Sequence, residues 1–229
     1  GENQIKEIID AAKCSIFFID ERQRVHINDK GSVEEIKKWA RNADAKIYLA
    51  ELVSQFRCNG SDGYLAWLDY VLQIRDTANL TLDNIDYDFV VEEDPDIVRE
   101  FILKENRINN RSRMLAGYCW NWPKKYQNDA DYKDICIGSF GMSWNLGNTK
   151  TFAIDENSVN EVGCIHTSRG LEFDYVGVII GNDMRYENGT VITDTYRTLL
   201  TRGMKGCHVY CTDPGLRNYL KEMLERSHG

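Results

Sequence analysis

Short, almost wholly apolar runs alternate with stretches of helical spacing, and this alternation constrains the fold more than any other feature of the chain. "CSIFFI" (14–19) and "AKIYLAEL" (45–52) bracket "SVEEIKKWARNA" (32–43), and "YLAWLDYVLQI" (64–74) has the apolar spacing of a helix. "YDFVV" (87–91) leads into "PDIVREFILKENR" (95–107), where Pro95 suits a first helical turn because its missing N–H is not needed there. The rhythm continues through "RMLAGY" (113–118), "DICIG" (134–138), "VGCIHT" (162–167) and "DYVGVIIG" (174–181). Helical "DTYRTLLTRGMK" (194–205), the strand "GCHVYC" (206–211) and helical "LRNYLKEMLERS" (216–227) follow. Apolar strands separated by helices predict an α/β fold, a mostly parallel sheet covered by helices on both faces. In "RYENGTVIT" (185–193), Asn188-Gly189 between alternating residues predicts a hairpin added to that core.

Bulk properties limit the function classes. At 229 residues, 42% hydrophobic and 28% charged, the chain can bury a substantial core. A net charge of −8 argues against gripping nucleic acid by bulk electrostatics, so any such contact must be local. Seven cysteines without C-x-x-C pairs encode neither a disulfide framework nor a zinc site, and they read as reduced, cytosolic thiols, which predicts a cytoplasmic protein. Cys58, Cys119, Cys136 and Cys164 are expected in the core, and Cys207 and Cys211 around His208 lack paired metal-ligand spacing. No apolar run approaches the roughly 18 residues of a membrane span. The opening "GENQIKEIID" reads as an amphipathic helix rather than a signal peptide, and as a cut rather than a native start. The acidic residues from Asp83 to Asp96 read as a solvated face.

The apolar run ending in Asp20-Glu21 has the form of a magnesium-and-base strand of a P-loop ATPase. Such a pair needs a phosphate-cradling G-x-x-x-x-G-K-[ST] loop, and the sequence contains no Gly-Lys dipeptide. The pattern also recurs in "TFAIDE" (151–156) without companions, so a strand end suffices to explain it.

Four stretches are more specific together: "FFIDERQ" (17–23), "LVSQFRCNGS" (52–61), "IHTSRGLEFDYVGVIIG" (165–181) and "YRTLLTRGMKGCHVY" (196–210). Their order and spacing resemble the later motifs of superfamily 1 helicases, over nearly the whole chain. The nearest resemblance is to a bacterial helicase-like P-loop family of unknown function whose motor domain also occurs in the schlafen proteins. It implies a RecA-like fold lacking its P-loop half, with residues 1–25 the end of a first RecA-like domain and 26–229 the second. In such motors ATP lies between two RecA-like domains, and the second delivers arginines to the γ-phosphate. Arg57 and Arg202 fill those positions, and Gln23 matches the glutamine that senses the γ-phosphate.

The resemblance further implies that Asp20, Gly170 and Glu172 face the nucleotide. His166, Thr167 and Ser168 lie where helicases contact the nucleic-acid backbone. Arg169 and Ile19 depart from the usual pattern, which leaves the role of Arg169 open. ATP and Mg2+ are expected in the intact protein, with neither bound tightly by this chain alone. The expected partners are the missing P-loop domain and single-stranded nucleic acid, and no membrane.

Plainer readings stand beside these. An arginine after an apolar strand is ordinarily a surface or ion-paired residue, Gln23 a polar strand end, and Thr167 and Ser168 caps of a short helix. Trp120 and Trp122 beside Lys124 and Lys125 could form a stacking platform for bases or simply pack in the core. Arg107, Arg111 and Arg113 read as a solvated loop. The alternative to a motor half is a degenerate RecA-like scaffold that binds protein or nucleic acid without hydrolysing ATP. A nuclease finds no support, since no spaced carboxylate-lysine set stands out.

Overall fold

A computed structural model describes residues 3–19, 32–50, 57–146, 151–192 and 196–226. The chain divides into two compact units, Gly1–Ser54 and Gln55–Gly229.

In the first unit, helix α1 (Gln4–Ala11) begins where the Asn3 side chain accepts the amide hydrogens of Ile5 and Lys6. Helix α2 (Val33–Asn42) starts at Ser32, whose hydroxyl accepts from Glu35 N. Asn3 Nδ2 also donates to Glu35 Oε1 at 2.8 Å, tying the two helix starts together. The strands expected at 14–19 and 45–52 do not form among the described residues of these stretches, 14–19 and 45–50. The reason is physical: among the described residues no strand pairs with either stretch, and a lone strand leaves its backbone unpaired. Phe18 is 85% exposed and Tyr48 86%, as apolar strand residues are without a sheet to cover them.

The second unit is built on a sheet. In chain order its elements include α3 (Asp62–Val71), β1 (Asp88–Glu92), α4 (Pro95–Asn109), β2 (Ser112–Ala116), β3 (Ile135–Ile137) and β4 (Phe140–Trp144). Then come β5 (Glu161–Gly163), α5 (Ile165–Ser168), β6 (Phe173–Ile180), β7 (Arg185–Glu187), β8 (Thr190–Ile192), α6 (Tyr196–Leu200), β9 (Gly203–Cys211) and α7 (Pro214–Glu225). Seven strands are ordered β1-β9-β6-β2-β5-β4-β3, and every pairing is parallel except β3 with β4. The apolar β6 is central, with Val176 opposite both Arg113 of β2 and Cys207 of β9.

Neighbouring β9 residues show the two faces. His208 stacks on Phe101 of α4 at 3.6 Å, while the thiol of Cys207, on the opposite side, is held far above its usual range by burial and by the nearby Cys58. Tyr64 of α3, beside the same two thiols, shows α3 covering that second face. The mostly parallel sheet with helices on both faces therefore forms as predicted. Gly177 permits the first face: a Cβ there would meet Met114 Sδ at 2.6 Å and Val98 Cγ1 at 2.7 Å, so α4 lies directly on the sheet. Helix α4 starts at Asp94 with Pro95 in the first turn and ends at Asn110 in the left-handed region, φ 58°. The predicted hairpin is β7–β8, turned by Asn188 (φ 51°) and Gly189 (φ 83°).

Several expectations change. Arg113 does not lie in a solvated loop but is fully buried in β2. Its guanidinium donates to the Phe152, Ala153 and Asp155 carbonyls, to the Asn110 and Ser112 carbonyls, and to the Asn106 and Asn110 side chains. The acidic stretch is not merely a solvated face. Asp88 and Glu92 flank the two ring nitrogens of His208 at 3.2 and 3.1 Å, Asp94 caps α4, and Glu93 pairs with Arg217 and Lys221. Residues 151–154 form a turn instead of a strand end, and Asp155 caps the 3-10 turn Glu156–Asn160. Cys136 is exposed and Cys119 half-buried, because "DICIG" lies at the sheet edge and "GYCW" beyond β2.

Asp69 of α3 fastens that helix to α6. It is 2% exposed and accepts from Arg197 and from Arg75 Nε at 2.8 Å. Burial pushes its carboxyl up, but the hydrogen bonds from Arg197 and Arg75 outweigh it and hold the group below the usual carboxylate range. Its contribution to stability is therefore complete above the unfolded value of about 3.9 and disappears as pH falls through the lower folded value. Asp69→Asn should cost about 1.5–3 kcal/mol at neutral pH in urea unfolding, and the two proteins should converge in acid. A pH-independent difference would contradict this account.

Candidate functional site

Three of the four motif stretches meet at two places in the second unit. The first is the amino end of β6 and β9. Helix α5 ends in a turn in which Leu171 N donates to Ser168 O at 3.0 Å, with Arg169 at φ −63°, ψ 125° and Gly170 at φ 78°. This is the turn whose third residue must take positive φ, which accounts for the glycine before Leu-Glu-Phe. Beyond it, Phe173 N donates to Arg202 O at 3.0 Å, and Arg202 Nη1 to Leu171 O at 3.5 Å. Arg202 is 1% exposed, whereas Gly170 and Glu172 are exposed.

The second stretch reaches the same place. Of Arg57, the backbone is described, in the 3-10 turn Arg57–Gly60. Its buried neighbour Cys58 donates Sγ–H to Thr201 O at 3.7 Å, and Tyr64 OH donates to Leu200 O at 2.9 Å. Residues 57–58, 170–173 and 200–203 thus converge from three distant parts of the chain. Asp20 and Gln23 lie outside the described residues.

The second place is the carboxyl side of β2, β4 and β5, where α5 begins. Asn145, just past β4, is buried and takes positive φ. Its side-chain oxygen accepts Cys164 N at 3.1 Å and Thr167 Oγ1 at 2.6 Å. It therefore holds the first turn of α5 from outside. Thr167 and Ser168 lie within this helix and do not cap its start. Ser168 is fully buried with its hydroxyl donating to Cys164 O, so of the three residues in "HTS" it is His166 that stands exposed. Asn145 has no signal in the sequence beyond its asparagine, since it acts through the fold on residues 19 and 22 positions away.

Trp120 is half-buried and packs toward the core, where its ring would lie 2.8 Å from a Cβ on Gly181. Trp122 packs likewise, with its ring 6.2 Å from Trp144. The Cys119 thiol beside them is pushed up to about 12 by burial and by Asp183. An open polar recess of about 380 Å³, lined by Asn106, Arg107, Asn109, Asn110 and Glu156, contains none of the motif residues. Among the described residues no cluster of His, Cys, Asp or Glu could hold a metal ion, and no helix is long and apolar enough to cross a membrane.

The family described as Schlafen group 3, DNA/RNA helicase domain, matches residues 1–193. The chain belongs to this family. That span includes "SQFR" and "IHTSRGLEFD", while Arg202 lies beyond it. The Schlafen group 3 chain is also 23% identical to the uncharacterized protein YPL245W of Saccharomyces cerevisiae, over 96% of its own length and 59% of the yeast protein. It therefore spans about three-fifths of that relative. No solved structure matches it.

For a nucleotide, the donor set at the amino end of β6 and β9 is one-sided. It holds a buried guanidinium and a glycine turn, beside the exposed Glu172 carboxylate, which accepts and cannot donate, and the sequence has no Gly-Lys loop to cradle phosphates. By themselves these residues do not fit a whole nucleotide.

Proposed function

We propose that the chain is the C-terminal motor half of a superfamily 1-type DNA or RNA helicase or nucleic-acid-dependent ATPase with a RecA-like second domain. The observation that carries this reading is the convergence of residues 57–58, 170–173 and 200–203, which were singled out by helicase resemblance alone. ATP with Mg2+ would be held by a P-loop domain of the same protein, and its hydrolysis would drive movement on nucleic acid. Within this chain, Arg202 supplies a forked guanidinium of the kind that recognises phosphate. With Arg57 it would stabilise negative charge on the transferred phosphoryl group. Gly170 and Glu172 would line the cleft, and Gln23, beyond Asp20, would sense the γ-phosphate. His166 would contact the nucleic-acid strand, with Thr167 and Ser168 shaping the helix that presents it.

One observation favours the scaffold reading instead: Arg202 is almost fully buried, and a guanidinium must be reached to act on phosphate. The two readings separate on magnesium-dependent ATP turnover by the full-length protein, which the motor reading predicts and the scaffold reading does not. The 229-residue chain alone should turn over at background. Turnover by the isolated chain at about 1 to 100 per second, the range of phosphoryl-transfer enzymes, would contradict a motor half that lacks its own phosphate loop.

A further inference from the structure

Tyr118, just past β2, is 45% exposed, yet its ring is fixed from several sides. Its hydroxyl lies 3.0 Å from Cys164 Sγ, and its edge meets the buried Trp144 ring at 5.1 Å and 64°. The exposed His166 ring lies 5.6 Å away, tilted by 53°. Burial of the hydroxyl, with Cys164 beside it, raises the phenol far above its usual value, so the ring stays neutral. Trp122 packs on the same Trp144 and leads directly through Pro123 to the exposed Lys124 and Lys125. A held aromatic ring with a second ring beside it, followed along the chain by two exposed lysines, forms a set that neither core packing nor catalysis requires.

We propose that Tyr118, with His166 at its side, is a stacking site for a base of a single-stranded nucleic acid whose phosphates meet Lys124 and Lys125. The inference rests on the nucleic-acid reading above and gives it an anchor that the helicase motifs do not contain. Every base has a π-face, so stacking needs an unpaired strand and not a particular sequence. In a duplex those faces are covered by neighbouring bases. Two local lysines supply phosphate contacts that a chain of net charge −8 cannot offer over its whole surface. Because the ring is already immobilised by Cys164 and Trp144, little rotamer freedom is lost on binding.

The test titrates the chain into DNA and RNA single strands of about 20 nucleotides carrying 2-aminopurine, and into the matching duplex. The wild type should bind single strands in preference to duplex and quench the probe. Tyr118→Ala should weaken single-strand binding by about tenfold and relieve the quench, while Tyr118→Phe stays within about twofold. Lys124→Ala with Lys125→Ala should lower the slope of log affinity against log salt by about 1.4 without relieving the quench at saturation. His166→Ala, at an exposed position, gives a second stacking variant should Tyr118→Ala disturb Trp144, and it should weaken binding by about threefold. Single-strand binding by the wild type that neither Tyr118→Ala nor His166→Ala alters would overturn the stacking site and leave the nucleic-acid reading standing. Absence of any single-strand binding at low salt would overturn both.

Discussion

Arg113→Met should lower the unfolding free energy by about 3–5 kcal/mol. The side chain is fully buried, and its three nitrogens serve carbonyls from two separate segments, 110–112 and 152–155. Methionine would fill much of the volume but remove one donor from each of those carbonyls and from the Asn106 and Asn110 side-chain oxygens, in a place water reaches poorly. The loss should concentrate where α4 ends and β2 begins, since Asn106 also accepts Ser112 N. Arg113→Lys should recover only part of it, because one ammonium cannot span carbonyls arranged around a planar fork. Urea unfolding of the three proteins measures this. A difference below about 1 kcal/mol for Arg113→Met would show that the carbonyls find other partners.

Arg113 also marks where the sequence stopped being readable. "RSRMLAGY" gives no sign that one of its arginines is interior, because the groups that make the burial tolerable are backbone carbonyls about 40 residues downstream. Asn145 escaped notice for the same reason. By contrast, features whose cause is local were legible: Pro95 in a first helical turn, Asn188-Gly189 at a hairpin tip, and the mostly apolar β6 in the interior of a mostly parallel sheet. The runs at 14–19 and 45–50 were read as strands from their apolar composition, but composition cannot supply the neighbour a strand needs. In the candidate site, three of the four stretches picked out by resemblance lie together in the fold. Their exposure was not legible: "HTSRG" places a buried serine two positions from an exposed histidine, an alternation fixed by the direction of a four-residue helix.

The second large effect concerns Arg202. In the full-length motor proposed above, Arg202→Lys should reduce ATP turnover by about a thousandfold or more, as loss of an arginine finger does. Lysine retains the positive charge but not the forked donor geometry that follows charge onto the equatorial phosphate oxygens. Its volume suits the same buried position between Leu171 and Leu199, so the fold should survive, which a thermal melt verifies. Arg57→Ala should fall in the same direction, and full activity in both variants would remove the arginines from the chemistry. The most direct measurement is ATP turnover by the wild-type and Arg202→Lys full-length proteins, each with and without a single-stranded oligonucleotide. The account predicts turnover stimulated by the single strand in the wild type and lost in Arg202→Lys, with oligonucleotide affinity unchanged. Equal turnover in the two proteins, or wild-type turnover indifferent to nucleic acid, would contradict it.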